Sequence, residues 1–178
     1  MSDGRRAVFL DRDGVINRTV VRNGRPHPPD RVEDLEILPG VREAIARLHD
    51  QGFRLIVVTN QPDVARGTQR RDVIDAMHAV LAAELAIDEF RVCDHDGDGC
   101  HCRKPKPGMM LDAARESGIN LSESYLVGDR WRDIEAGHRA GCTSIFIDYG
   151  YAEKRPEGQS ATVGSLAEAA EWILNARR

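Results

Sequence analysis

Long apolar runs are missing from this chain of 178 residues. None reaches the length that crosses a bilayer, so a membrane-spanning protein is not expected. A basic excess is missing too. The formal net charge is −4, which argues against a general nucleic-acid binder while leaving room for a small basic pocket. The first residues, Met1 to Arg6, lack the apolar stretch of a secretory signal and lead straight into an apolar segment, so a cytoplasmic location is expected. There is no internal repeat, low-complexity tract or linker, and the length suits one domain spanning residues 1–178. Cysteine is scarce, with four in all. Three fall within ten residues of one another, which favours a metal over disulfides in a reducing compartment. No strong exposed apolar stripe calls for a dimer, so a monomer is expected.

What is present is an alternation of apolar strands and amphipathic helices. Strands are expected at Ala7–Leu10, Phe53–Thr59, Phe90–Cys93, Tyr125–Val127 and Thr143–Ile147. Helices are expected after Pro39-Gly40, with Val41, Ile45 and Leu48 inward, and over Arg70–Leu85, with Val73, Met77, Val80 and Leu81 at helical spacing. Further helices are expected over Met109–Ser117 and Asp133–Ala140, and after the capping box Ser165-x-x-Glu168. Residues Asn17–Leu38 read as irregular and Gly150–Gly164 as a surface loop. Such alternation predicts an α/β fold, a Rossmann-like, doubly wound, mostly parallel sheet with helices on both faces.

Four polar segments fall at or just after these strands: Asp11-Arg12-Asp13-Gly14, Thr59-Asn60-Gln61, Arg103-Lys104-Pro105 and Gly128-Asp129-Arg130, with Asp133 one turn later. A parallel sheet gathers such segments at its carboxyl edge. Asp-x-Asp-Gly alone reads more readily as a solvated turn. Its place directly after a buried strand, with the other three segments, favours a site. Crowded acids need a cation or a chemical use. A carboxylate nucleophile, a second carboxylate for acid–base work, a lysine and a hydroxyl for phosphoryl oxygens, and Mg²⁺ among the acids together suit phosphoryl transfer through an aspartyl-phosphate.

A second cluster is Cys93-x-His95 with Cys100-x-Cys102. Three thiolates and an imidazole make a closed tetrahedral set, which points to structural Zn²⁺. A calcium loop starting at Asp94 fails, because its twelfth position is Pro105 rather than Glu. Cys142 reads as a core residue, His101 as a poor ligand for its spacing, and His27, His49, His78 and His138 as surface residues.

The ordered motifs Asp11-Arg-Asp-Gly-Val, Thr59-Asn60, Lys104-Pro105 and Gly128-Asp129 resemble those of the haloacid dehalogenase superfamily of phosphatases, over nearly the whole chain. The resemblance implies Asp11 as nucleophile, Asp13 as acid and base, and Thr59 and Lys104 on the phosphoryl group. It places Mg²⁺ on Asp11, the main-chain carbonyl of Asp13, and Asp129, with Asp133 outside the metal's ligands. No large cap is expected. A zinc loop running into Cys102-Arg103-Lys104-Pro105 is similar to the histidinol-phosphate and heptose-bisphosphate phosphatases. Ala65-Arg66-Gly67 and Lys106-Pro107-Gly108-Met109 resemble the heptose group, which removes the 7-phosphate of D-glycero-D-manno-heptose 1,7-bisphosphate. Pro62-Asp63 and Arg18–Arg25 depart from that group. Arg12, Asn60, Gln61, Arg103 and Arg130 are the candidate contacts to a small phosphorylated sugar. A non-catalytic receiver module, with one phosphorylated Asp, is the alternative of a different class. It would need neither Asp13 nor the zinc loop.

Overall fold

The computed structural model describes residues 4–176. Its centre is a six-stranded sheet. In chain order its strands are β1 (Ala7–Leu10), β4 (Arg54–Asn60), β5 (Glu89–Cys93), β6 (Tyr125–Gly128), β7 (Thr143–Ile147) and β8 (Ala161–Val163), while β2 (Val20–Arg22) and β3 (Arg25–His27) form a separate hairpin. The spatial order is β5-β4-β1-β6-β7-β8, and every pairing within it is parallel. β1 lies inside the sheet and is buried throughout, which is why it reads as an unbroken apolar run.

Alternation along β1 sends Val8 and Leu10 to one face and Ala7 and Phe9 to the other. The first face is covered by α1 (Val41–Asp50) and α5 (Leu166–Asn175), which pack Ile45, Leu48, Ala170 and Ile173 onto it. The second is covered by α3 (Gly108–Ser117) and α4 (Trp131–Ala140) through Met110, Ala113, Ala136 and Ala140. The sheet is therefore doubly wound, as expected, and no large cap is present among the described residues. The left-handed Gly118 and Gly141 stop α3 and α4.

Three readings are corrected. α2 (Arg71–Glu84) buries Ile74, Met77, His78 and Leu81, whereas Val80 lies on the solvent side. His78 is thus not a surface residue; it is 7% exposed. Residues Asn17–Leu38 contain the β2–β3 hairpin, closed by Asn23 and Gly24 at positive φ. The Gly150–Gly164 segment contributes β8, a three-residue edge strand beside β7. Cys142 is buried in the core as expected, and His49 and His138 are exposed.

Candidate active site

β1, β4 and β6 end side by side, and each delivers its chemistry at the same edge. Asp11 follows β1 directly, Thr59 and Asn60 end β4, and Asp129 follows β6. Asp11, Asn60 and Asp129 open onto a crevice of about 560 Å³, within the size range of small-molecule sites, while Thr59 is buried just behind its lining.

Lys104 is the hub. It is 3% exposed, and its Nζ donates to Asp11 Oδ1 at 2.8 Å and to the Val58 carbonyl at 2.7 Å, and lies 2.7 Å from Asp133 Oδ1. Burial alone would lower its pKa. The two carboxylates outweigh that and raise it. Asn60 holds the Lys104 backbone from both sides, donating to its carbonyl at 3.0 Å and accepting its N–H at 3.1 Å. Asn60, expected at the substrate, therefore has its amide committed to placing Lys104. Asp133 spends its second oxygen on the Arg130 N–H at 3.0 Å, and Gly128 has to be glycine because a Cβ there would lie 2.1 Å from the Asp133 Cβ.

Asp11, Asp129 and Asp133 offer oxygens within 4.8 Å of one another. Burial, then the neighbouring Asp133, push the Asp11 carboxyl up to about 6, although Lys104 pulls the other way. Asp129 is raised well above the ordinary range by burial and by Asp11 and Asp133. One lysine does not neutralise three buried acids. Asp129 Oδ1 is moreover buried without a partner, while its Oδ2 accepts the Tyr151 hydroxyl at 2.9 Å. An all-oxygen, under-neutralised set with an orphaned carboxylate oxygen fits Mg²⁺. Asp133, with both oxygens engaged, is left to orient Lys104.

Gly14 sits at φ +85°, and a Cβ on it would fall 2.0 Å from Asp129 Oδ2. Gly14→Ala is therefore expected to displace Asp129. Activity should fall at least about a hundredfold and the melting temperature should drop, as steady-state kinetics and a thermal melt would show.

Asp13 is separate from the three-carboxylate group. Its oxygens accept from Arg12 Nε at 3.1 Å, Arg12 Nη2 at 2.9 and 3.1 Å, Asn17 Nδ2 at 3.0 Å and Gln61 Nε2 at 2.9 Å. Gln61 also donates to Thr59 Oγ1 at 3.0 Å. Arg12 is not at the substrate: its side chain is fully buried behind Asp13 and does not line the crevice. β1 ends at Leu10, and the chain bends at Arg12, whose carbonyl accepts the N–H groups of Val15, Ile16 and Asn17 at 3.3, 2.8 and 3.2 Å; this bend turns the side chain between the two acids away from the crevice.

Cys93, His95, Cys100 and Cys102 also come together, with ligand atoms within 4.8 Å. Cys93 Sγ lies 3.6 Å from both His95 Nδ1 and Cys100 Sγ, and Cys102 Sγ lies 3.3 Å from His95 Nδ1 and 3.0 Å from Cys93 Sγ, a cluster whose edges run from the roughly 3.7 Å of tetrahedral Zn–S bonds down to tighter contact. All four cysteines are free of disulfides, and burial and the neighbouring sulfurs push the Cys102 thiol far up. A soft dication relieves that crowding. The loop's exit carries Arg103, which donates to the His95 carbonyl at 3.1 Å and Asp96 at 2.9 Å. Asp63, the unexpected residue, joins Arg66 in a latch. Arg66 bonds Asp63 at 3.3 Å and grips Asp96 with two bonds of 2.9 Å. Arg130 lines the crevice, but its guanidinium is paired with Glu153, which leaves less of it for a substrate than expected.

Residues 29–141 match the model of the haloacid dehalogenase-like hydrolases. The chain belongs to that family. It is 36% identical to the D-glycero-D-manno-heptose-1,7-bisphosphate 7-phosphatase of Thermosynechococcus vestitus, with 95% of each chain covered. It is 35% identical to the D-glycero-beta-D-manno-heptose-1,7-bisphosphate 7-phosphatase of Escherichia coli K12, over 95% of this chain and 88% of that one. The crystal structure of the D,D-heptose 1,7-bisphosphate phosphatase of B. bronchiseptica, complexed with magnesium and phosphate, superposes with a TM-score of 0.81 at 33% identity, covering 96% and 99% of the two chains. As a haloacid dehalogenase-like hydrolase the protein is an enzyme, a phosphoric monoester hydrolase, and the receiver-module alternative falls. Among the described residues, no helix is long and apolar enough to cross a membrane.

Two contributors escaped the sequence reading. Tyr151, in the loop after β7, donates to Asp129, and Tyr149 donates to the Gly14 carbonyl at 2.9 Å. No local signal in that polar segment marks either.

Proposed function

We propose that this enzyme hydrolyses a sugar bisphosphate, the 7-phosphate of D-glycero-D-manno-heptose 1,7-bisphosphate, through an aspartyl-phosphate on Asp11. The observation that carries the reading is the sorting of charge in one crevice. Asp11, Lys104 and Asp129 gather at the strand ends, and the same crevice is lined by Arg25, Arg132 and Lys154, none of which has a carboxylate partner among the described residues. Arg132 and Lys154 instead flank the Trp131 ring at 5.3 and 4.6 Å. The names of the relatives supply the heptose.

Asp11 Oδ2 makes no hydrogen bond among the described residues, so that oxygen is free to attack phosphorus. The P–O bond to the sugar breaks and the departing oxygen takes a proton from Asp13. Asp13 then removes a proton from water, which attacks phosphorus and releases phosphate, restoring Asp11. Lys104 and the Thr59 hydroxyl bind the phosphoryl oxygens as charge shifts. Asp11, Asp129 and the main-chain carbonyl of Asp13 would hold Mg²⁺, which would supply the charge that offsets repulsion between carboxylate and phosphate. Structural Zn²⁺ on Cys93, His95, Cys100 and Cys102 fixes the segment that ends in Arg103 and Lys104. The same reading takes residues 1–178 as one domain, a cytoplasmic monomer acting on a small phosphorylated sugar, with no nucleic-acid or membrane partner.

The alternative, a histidinol-phosphate phosphatase, meets an electrostatic obstacle. Histidinol phosphate carries an ammonium on the carbon next to its phosphate-bearing one and an imidazole at its far end; neither brings the anion that the unpaired cations of the crevice call for, whereas a second phosphate does. The test is phosphate release from both anomers of the heptose bisphosphate and from histidinol phosphate. Arg132→Ala is expected to lower kcat/KM for the bisphosphate about tenfold, the value of one charge-assisted contact, while leaving histidinol phosphate no worse. A native preference for histidinol phosphate would overturn the substrate assignment and leave the chemistry standing.

Zinc has its own test. Cys102→Ser or prolonged chelation is expected to lower the melting temperature and cut kcat/KM by about tenfold or more, with Arg103 and Lys104 losing their anchor. Elemental analysis should find about one zinc per chain before treatment and none after.

A further inference from the structure

Arg12 and His78 form a buried polar pair that the reaction as written does not use. Arg12 is 0% exposed and His78 7%. The guanidinium grips Asp13 through Nε and Nη2 and turns its remaining nitrogen, Nη1, to His78 Nε2 at 3.2 Å and Met77 Sδ at 3.8 Å. Arginine only donates. His78 Nε2 must therefore accept, which requires a neutral ring with its proton on Nδ1. That state is the favoured one, since burial and the Arg12 charge lower the imidazole pKa to about 4. The ring itself is pinned, stacked on Phe90 of β5 with centroids 4.6 Å apart and planes 18° apart.

A leucine would fill this site on α2 with less desolvation cost, so packing alone does not account for a histidine. We infer that His78 is a positioning residue for the reaction, holding the plane of the Arg12 guanidinium so that Arg12 in turn holds the Asp13 carboxyl. The bonds to Asp13 fix only the Nε–Nη2 edge of the planar fork, which leaves its plane a tilt about that edge. The Nη1 contact to a stacked, immobile ring removes that tilt. Asp13 has to meet the leaving oxygen in the first step and a water in the second, and small misplacements of an acid–base group are costly. The inference rests on Asp13 being the acid and base.

General acid help separates this role from a merely structural one. A sugar alkoxide needs a proton to leave, whereas 4-nitrophenolate does not. His78→Phe keeps the ring stack and removes the acceptor; His78→Gln returns an acceptor; Arg12→Lys keeps the charge and loses the fork. The readout is kcat/KM with Mg²⁺ for heptose 1,7-bisphosphate and for 4-nitrophenyl phosphate, with thermal melts on each variant. His78→Phe and Arg12→Lys are expected to lose about tenfold on the sugar phosphate and under about twofold on the aryl phosphate, a fraction of the full value of acid catalysis. His78→Gln should recover most of the loss, and Asp13→Asn should show the same selectivity more strongly. Equal losses on both substrates in His78→Phe and Arg12→Lys, with Asp13→Asn still selective, would overturn the inference, as would no loss on either. Should His78→Phe fail to fold, Arg12→Lys decides by the same criterion. Equal losses in Asp13→Asn would overturn the acid–base reading itself, and the inference with it.

Discussion

Asp11→Asn is expected to abolish turnover, lowering kcat by about four orders of magnitude or more, the scale on which removal of a covalent nucleophile acts. The amide has the same shape but is a very poor nucleophile toward phosphorus. The fold should survive, for a reason visible in the charges. Asp11 is one of three acids crowded around one lysine, and burial with Asp133 already pushes its carboxyl up to about 6. Replacing one acid leaves Lys104 paired with Asp133 at 2.7 Å and relieves repulsion on Asp129. Metal-free Asp11→Asn should therefore melt no lower than the native protein at neutral pH. The sign follows from linkage. A carboxyl whose folded pKa is raised above its unfolded value of 3.8 contributes stability only at low pH and loses it as pH rises through about 6. At pH 7 its ionised form is a cost that the amide removes. Activity assays and thermal melts at pH 7, with chelator present for the melts, check both halves.

Lys104→Met is expected to fail in the opposite way, losing stability and activity together. Methionine matches the length of the stem but leaves Asp11 and Asp133 without their buried cation and the Val58 carbonyl without its donor. Breaking a buried pair by deleting one partner costs about 3–5 kcal/mol, which a denaturant titration without Mg²⁺ would register. Losing a preorganised cation on the transferring phosphoryl group costs about a hundred- to a thousandfold in kcat. Mg²⁺ should restore part of the stability, by neutralising the acids, and little of the activity. A Lys104→Met protein as stable as the native one in chelator would show that the acids are not ionised together, and the electrostatic account of the site would fail.

Much of this is legible in the sequence. The core strands β1, β4, β6 and β7 announced themselves as apolar runs ending in polar residues, and the parallel fold then brought Asp11, Lys104 and Asp129 together. The clustering of Cys93, His95, Cys100 and Cys102 was legible for a different reason, because their pairwise spacing needs no long-range information. The failures have physical causes. β8 is three residues long and only partly buried, too short for any period. The hairpin carried a readable Asn23-Gly24 turn between extended residues, but its strands are largely exposed and supply no apolar alternation. His78 lies four residues after Ile74 and three before Leu81, so helical periodicity places it on the buried face; reading it as a surface residue weighed its polarity over its position. Arg12 lies in a bend beyond the end of β1, where no strand or helix period says which way its side chain turns. Tyr151 reaches Asp129 from 22 positions away, and only the tertiary fold shows it.

The account stands on a covalent bond between phosphorus and Asp11. The direct measurement is a rapid acid quench during turnover with Mg²⁺ and heptose 1,7-bisphosphate, followed by borohydride reduction and peptide mass spectrometry. An aspartyl-phosphate is reduced to homoserine, so the account predicts homoserine at position 11 in the native enzyme and none in Asp11→Asn. Phosphate release at full rate with residue 11 unmodified, or the modification on another residue, would contradict it.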